Sequence, residues 1–169
     1  MLSNPIIVTI VRFVLLILVQ VLIFNNLNFF GYINPLVYVL FFYWYPIREN
    51  RAAFITVSFL LGLFIDIFSD TLALHAIVSI TLAYVRPFLM RFCFGANFDF
   101  QAFTFKNATR LQRITFLFLL ILIQHVLFFS LEIWSFAHIL LILKKILFTS
   151  FSTFLICILL TSLFAKEND

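Results

Sequence analysis

Six apolar stretches alternate with short polar clusters along the chain, and their lengths define the elements. The first, 5–24, holds twenty residues and one charge, Arg12. As a helix it rises about 30 Å, one hydrocarbon thickness. Asn4 followed by Pro5 reads as an N-cap and a first helical residue. Asn25, Asn26 and Asn28 close the stretch, and Gly31 lies in the turn beyond.

The second stretch, 34–47, opens with the same punctuation, Asn34 then Pro35. It is short for a span and carries Tyr43, Trp44 and Tyr45 near its end, a pattern that predicts an aromatic belt at a water interface. Arg48, Glu49, Asn50 and Arg51 form a charged loop. A third stretch covers 52–68 and a fourth 72–92, with Arg86 and Arg91 at its far end. The longest polar segment, 95–110, precedes the fifth, 111–131. The final apolar run, 133–164, is too long for one span and is broken by Lys144 and Lys145. It divides into an interfacial or re-entrant piece, 134–143, and a sixth helix, 146–164. The pattern predicts one all-α, polytopic membrane domain over 1–169 with six transmembrane helices.

Composition leads the same way. Hydrophobic residues make up 64% of the 169 positions and charged residues 11%, against about 25% charged in soluble domains. Mean hydropathy is +1.17. Such a chain cannot cover itself with polar surface, so lipid is its solvent. The N-terminal run lacks a basic flank and a small-residue cleavage site, so it reads as a retained helix rather than a signal peptide. Cys93 and Cys157 lie in apolar surroundings and read as small buried hydrophobes.

Placement of charge predicts orientation. With both termini cytoplasmic, nine of the eleven Lys and Arg residues fall inside: Arg12, Arg48, Arg51, Arg86, Arg91, Lys106, Arg110, Arg113 and Lys166. Lys144 and Lys145 fall outside, with Asp66, Asp70 and Glu132. The basic residues sit at helix ends without an interleaved aromatic surface, which argues against nucleic-acid binding.

The candidate chemistry concentrates between positions 58 and 83. Ser58, Gly62 and Asp66 recur every four residues on one face of the third helix. Ala76, Ser79 and Ala83 do the same on the fourth. Small residues let helix backbones approach closely in lipid, so the two stripes predict a tight hairpin. An ionisable side chain within a span points to function unless it is paired or hydrogen-bonded. Asp66 therefore has two readings: a carboxylate accepting backbone N–H groups at the start of the fourth helix, or a partner-contacting or proton-handling charge. Under the first, Asn in its place should be tolerated. Asp70 reads as the N-cap of the fourth helix. His75, His125, His138, Gln20 and Gln124 read as interhelical hydrogen-bonding groups. Asp66, Asp70 and His75 together lack a metal-ligand spacing. No nucleophile–base pair, phosphate loop or cysteine cluster is legible, so neither enzyme nor cofactor is expected.

These motifs resemble the bacterial rod shape-determining protein MreD family. Members of that family typically read G-L-x-x-D, a small polar turn, L-G-L-H-A and then an Ala-Tyr pair. Here the pattern is Gly62-Leu63-Phe64-Ile65-Asp66, then Leu72-Ala73-Leu74-His75-Ala76, then Ala83-Tyr84. Ala73 stands where the family usually has Gly, and Asp70 where Gly is common. The resemblance covers nearly the whole chain. It implies a non-enzymatic inner-membrane subunit of the elongasome that binds MreC. Through MreC it would support the MreB filament, RodA and a class B penicillin-binding transpeptidase. It also implies a bundle similar to the substrate-binding S components of energy-coupling-factor vitamin transporters. An S-component-like transport subunit is the alternative. Such subunits usually carry an Ala-x-x-x-Ala contact on helix 1, and the first stretch here has no Ala.

Overall fold

The computed structural model describes residues 5–27, 33–47, 50–95, 105, 108–133 and 139–165. Among the described residues six α-helices follow in order: α1 (Pro5–Leu22), α2 (Val39–Trp44), α3 (Arg51–Ser69), α4 (Leu74–Phe94), α5 (Arg110–Ile133) and α6 (Ile139–Ala165). All but α2 are long and apolar enough to cross a membrane. Burial is inverted relative to a soluble protein. Ile10, Leu18, Ile67, Leu147 and Phe151 are exposed, while Gln20, Ser58, Gln124, His125 and Thr153 are fully buried. Apolar side chains outside and hydrogen-bonding groups inside suit a lipid solvent. The chain is an all-α polytopic membrane bundle.

Directions follow from contacts. Asn25, just past α1, donates to Ser69 at the end of α3, and the Phe13 and Phe64 rings meet at 6.2 Å. The helices α1 and α3 therefore run parallel. Asp66 reaches the first turn of α4, His75 meets Phe128 of α5, and Glu132 of α5 pairs with Lys145 of α6. From α3 onward each helix reverses the last. A return crossing must therefore lie between α1 and α3.

The second predicted helix, 34–47, makes that crossing in a different form. Only Val39–Trp44 is α-helical, yet Leu36 to Phe42 are at most 2% exposed. The segment starts beside Gln20 and ends beside Arg12, two turns lower on α1. Non-helical backbone survives at such depth only where other groups satisfy it. Gln20 does most of this. Its Nε2 donates to the Pro35 carbonyl at 3.1 Å, and its Oε1 accepts from the N–H of Val37 at 2.8 Å and of Tyr38 at 3.4 Å. Thr153 of α6 accepts from Leu36 N–H at 3.2 Å. His125 completes the chain: Nε2 lies 3.1 Å from the Thr153 hydroxyl, and Nδ1 lies 2.8 Å from the Ile121 carbonyl. A carbonyl only accepts, so Nδ1 carries the proton, and the single proton of the Thr153 hydroxyl faces two acceptors, His125 Nε2 and the Thr149 carbonyl at 2.8 Å.

Two other expectations change. Of the aromatic residues at the end of the second segment, Tyr45 turns into the bundle, while Tyr43 and Trp44 are half-buried. Tyr45 packs 4.3 Å from Phe54, Tyr43 lies 5.9 Å from Phe116, and the Arg12 guanidinium covers Trp44. Arg86 donates to the Tyr45 carbonyl at 2.6 Å, satisfying a group that the end of α2 would leave open. The second change concerns α6, which begins at Ile139 and runs unbroken through Lys144 and Lys145. Ile139–Leu143 thus belongs to the last helix, while 134–138 lie outside the described residues. The charge does not break the helix because Lys145 Nζ sits 3.2 Å from Glu132 and over the Phe129 ring.

Candidate functional site

The α3–α4 hairpin is built from the two small-residue stripes. Ser58 and Gly62 on α3 are buried, as are Ala76, Ser79 and Ala83 on α4. At Gly62 the two backbones touch. A Cβ there would lie 2.5 Å from Ala76 Cα and 2.6 Å from Ala76 N, and would run into the His75 carbonyl oxygen. Ser58 bonds within its own helix, to the Phe54 carbonyl at 2.7 Å, so at this position it serves the hairpin through its size.

Asp66, one turn above Gly62, is 4% exposed. Its Oδ1 accepts from His75 N–H at 2.9 Å and from the Thr71 hydroxyl at 2.5 Å, and its Oδ2 accepts from Ala76 N–H at 2.8 Å. The carboxylate thus caps a helix that follows it by eight residues. Those N–H groups have no partner inside α4, and negative charge at a helix start is favourable. An acceptor-only group meets three donors.

Asp70 does otherwise than predicted. It is the C-cap of α3, with φ +54° and its N–H on the Asp66 carbonyl, and its side chain is exposed. The N-cap position of α4 belongs to Ala73, at φ +58° and without a side-chain cap bond. Among the described residues, Asp70 and Ala73 are the non-glycine positions with positive φ. Left-handed backbone costs an L-residue about 1–2 kcal/mol and glycine little, whereas Asp tolerates it better than Ala. Ala73→Gly should therefore stabilise the protein by about 1 kcal/mol, which raises Tm by roughly 2–4 °C. Thermal melts in detergent would check this; an unchanged or lower Tm would contradict the strain at Ala73.

His75 points away from the Asp66 carboxylate. Its Nδ1 lies 3.1 Å from the buried Tyr38 hydroxyl, and its ring packs at 4.8 Å on Phe128. Ser79 and Gln124 lie against the same hydroxyl. Asp66, Asp70 and His75 do not converge. Among the described residues no three His, Cys, Asp or Glu side chains form a metal-sized group. His138 lies outside the described residues.

Beside His75 a cleft of about 490 Å³ opens at the same end of the bundle. Asn25 and Asn34 form one side, Ser69, Thr71 and His75 a second, and Phe128, Phe129, Glu132 and Lys145 the third. Sequence reasoning missed Asn34 and Tyr38 here. Asn34 reads as a helix cap and Tyr38 as one more aromatic, and nothing in their spacing places them beside residue 75.

The fold and the hairpin define a multi-pass membrane protein with polar side chains buried inside the bundle and a cleft beside the hairpin. The chain matches no family model, no curated protein and no solved structure.

Proposed function

We propose that this chain is an MreD-like scaffold of the bacterial inner membrane. It would bind MreC and through it support MreB-linked lateral peptidoglycan synthesis by RodA and a class B penicillin-binding transpeptidase. One observation carries the reading. The two positions where the chain departs from the family's glycines, Asp70 and Ala73, are among the described residues the two non-glycine positions with left-handed backbone. A glycine-bearing motif fits this turn, so the resemblance extends from the letters to the backbone shape they serve. The rest of the motif folds into one unit, with Gly62 against Ala76 and Asp66 on the α4 N-terminus.

Affinity purification from native membranes tests the reading. MreC should co-purify, and depletion should round the cells. Recovery of transport ATPase subunits instead of MreC would reject it. The proposal also places both termini in the cytoplasm, since Arg51, Arg91, Arg110 and Arg113 gather at one end of the bundle, and Asp70 and Glu132 at the other. In a variant lacking the native cysteines, Leu72→Cys should react with an impermeant maleimide in intact cells, and Thr109→Cys only after lysis. The reverse pattern would invert the topology.

A second reading, an S-component-like substrate-binding subunit of a vitamin transporter, is favoured by the polar cleft at the outer end. The absence of Ala from α1 weighs against it.

A further inference from the structure

The Ala83–Tyr84 pair of the hairpin motif divides between two environments. Ala83 is buried in the bundle, whereas Tyr84 is 55% exposed. Arg51, the first residue of α3, lies over the Tyr84 ring at 5.0 Å, and the Phe88 ring follows Tyr84 at 6.3 Å. Ile77, Ile80, Tyr84 and Phe88 recur at helical spacing and are all exposed. One face of α4 is therefore an apolar strip that descends from mid-span to this rim. Its level is fixed by the contact of Gly62 with Ala76. Arg51 lies eleven residues from Gly62 and Pro87 eleven from Ala76, so Arg51 stands level with Pro87. Arg91 is exposed four residues further on, about 6 Å along the helix axis.

Stacking on Tyr84 uses a face of the Arg51 guanidinium and leaves its in-plane N–H groups around the rim. The bundle offers no carboxylate at this end. Among the described residues the acidic ones are Asp66, Asp70 and Glu132, and all three stand at the opposite end. Arg12 and Arg86 turn inward, onto the Trp44 and Tyr45 carbonyls. Arg51 and Arg91 face outward. Charge alone suits an acidic protein segment as well as a lipid. The strip favours the lipid: its exposed Ile and aromatic side chains face hydrocarbon, so the arginines mark the depth at which phospholipid phosphates stand. Guanidinium and phosphate form charge-assisted, bidentate pairs.

We propose that this edge of the α3–α4 hairpin holds an anionic phospholipid of the phosphatidylglycerol type. Its phosphodiester sits between Arg51 and Arg91, and an acyl chain lies along Ile80, Tyr84 and Phe88. The inner-leaflet setting rests on the orientation proposed above, but binding in detergent does not depend on it.

Native mass spectrometry of the purified full chain in detergent tests the site, with dioleoyl phosphatidylglycerol and dioleoyl phosphatidylethanolamine as probes. The two lipids share chains and phosphate, but the ethanolamine carries its own counter-charge. Phosphatidylglycerol should bind at least about fivefold more tightly, and Arg51→Gln should weaken it about fivefold, the effect of one basic residue near anionic lipid. Arg51→Gln with Arg91→Gln should bring the two lipids level, while Lys144→Gln at the opposite end should change nothing. Excess inorganic phosphate should not displace the lipid, because it has no acyl chain. Equal affinity of the wild type for both lipids, full phosphatidylglycerol binding by the folded double variant, an equal loss in Lys144→Gln, or displacement by free phosphate would overturn the assignment. Displacement by an oligoglutamate peptide would assign the rim to an acidic protein segment and overturn it as well. None of these outcomes bears on whether MreC co-purifies.

Discussion

Gly62→Leu should leave almost no folded protein in the membrane. The atoms in the way are backbone, the His75 carbonyl and the Ala76 Cα and N, and no rotamer change moves them. Even Ala at this position should cost about 3 kcal/mol, the upper range for an overpacked core. The helices would have to separate by about an ångström, and that movement would also stretch the three bonds from Asp66 to the α4 turn. Gly95 provides the control. Its φ of +113° strains any side chain, but no atom lies within 4 Å of a Cβ built there, so Gly95→Ala should fold with a modest loss of stability. Immunoblot levels and fluorescence-detected size-exclusion profiles of tagged variants measure both effects. Wild-type yield and elution for Gly62→Leu would refute the close approach.

Asp66→Asn should destabilise the protein by about 2 kcal/mol, and Asp66→Leu by about 4 kcal/mol. The sequence-based expectation that Asn is tolerated assumed that one oxygen does the capping. Both oxygens accept donors here. An amide keeps one oxygen and turns an NH₂ toward either Ala76 N–H or the Thr71–His75 pair, donor against donor. Leu removes every acceptor and leaves two helix-start N–H groups buried. The readout is Tm in detergent together with protein level and cell shape on complementation. In this account shape fails in proportion to protein level. Round cells with wild-type levels and Tm for Asp66→Asn would instead assign Asp66 a role at a partner surface.

The hairpin was legible in the sequence because its cause is local. A stripe of small residues at helical spacing predicts close packing wherever its partner lies within twenty residues, and Asp66 needed only a following helix to cap. Asp70 was misread because an acidic residue between two helices satisfies the rules for both ends. Only the backbone, at φ +54°, decides that it closes α3. The interruption before α2 was hidden for a different reason. Residues 34–47 are apolar enough for a helix, and the groups that hold them out of helical form are distant: Gln20 on α1 and Thr153, more than a hundred residues on. A buried Gln announces that some polar group needs it, but not which one. Lys144 and Lys145 marked a false boundary for the same reason, since the partner that neutralises Lys145 lies on another helix.

The broken second crossing bears on how the bundle is assembled during synthesis. A regular helix can leave the translocon alone, because its peptide groups bond to one another. The 34–38 stretch cannot, since its N–H and carbonyl groups are matched by side chains elsewhere. Gln20 precedes this stretch in synthesis, but Thr153 follows it by more than a hundred residues. Until α6 arrives, the Leu36 N–H has no protein acceptor. The second crossing is therefore completed only after α6 has been made, which ties α1 and α6 into one folding step.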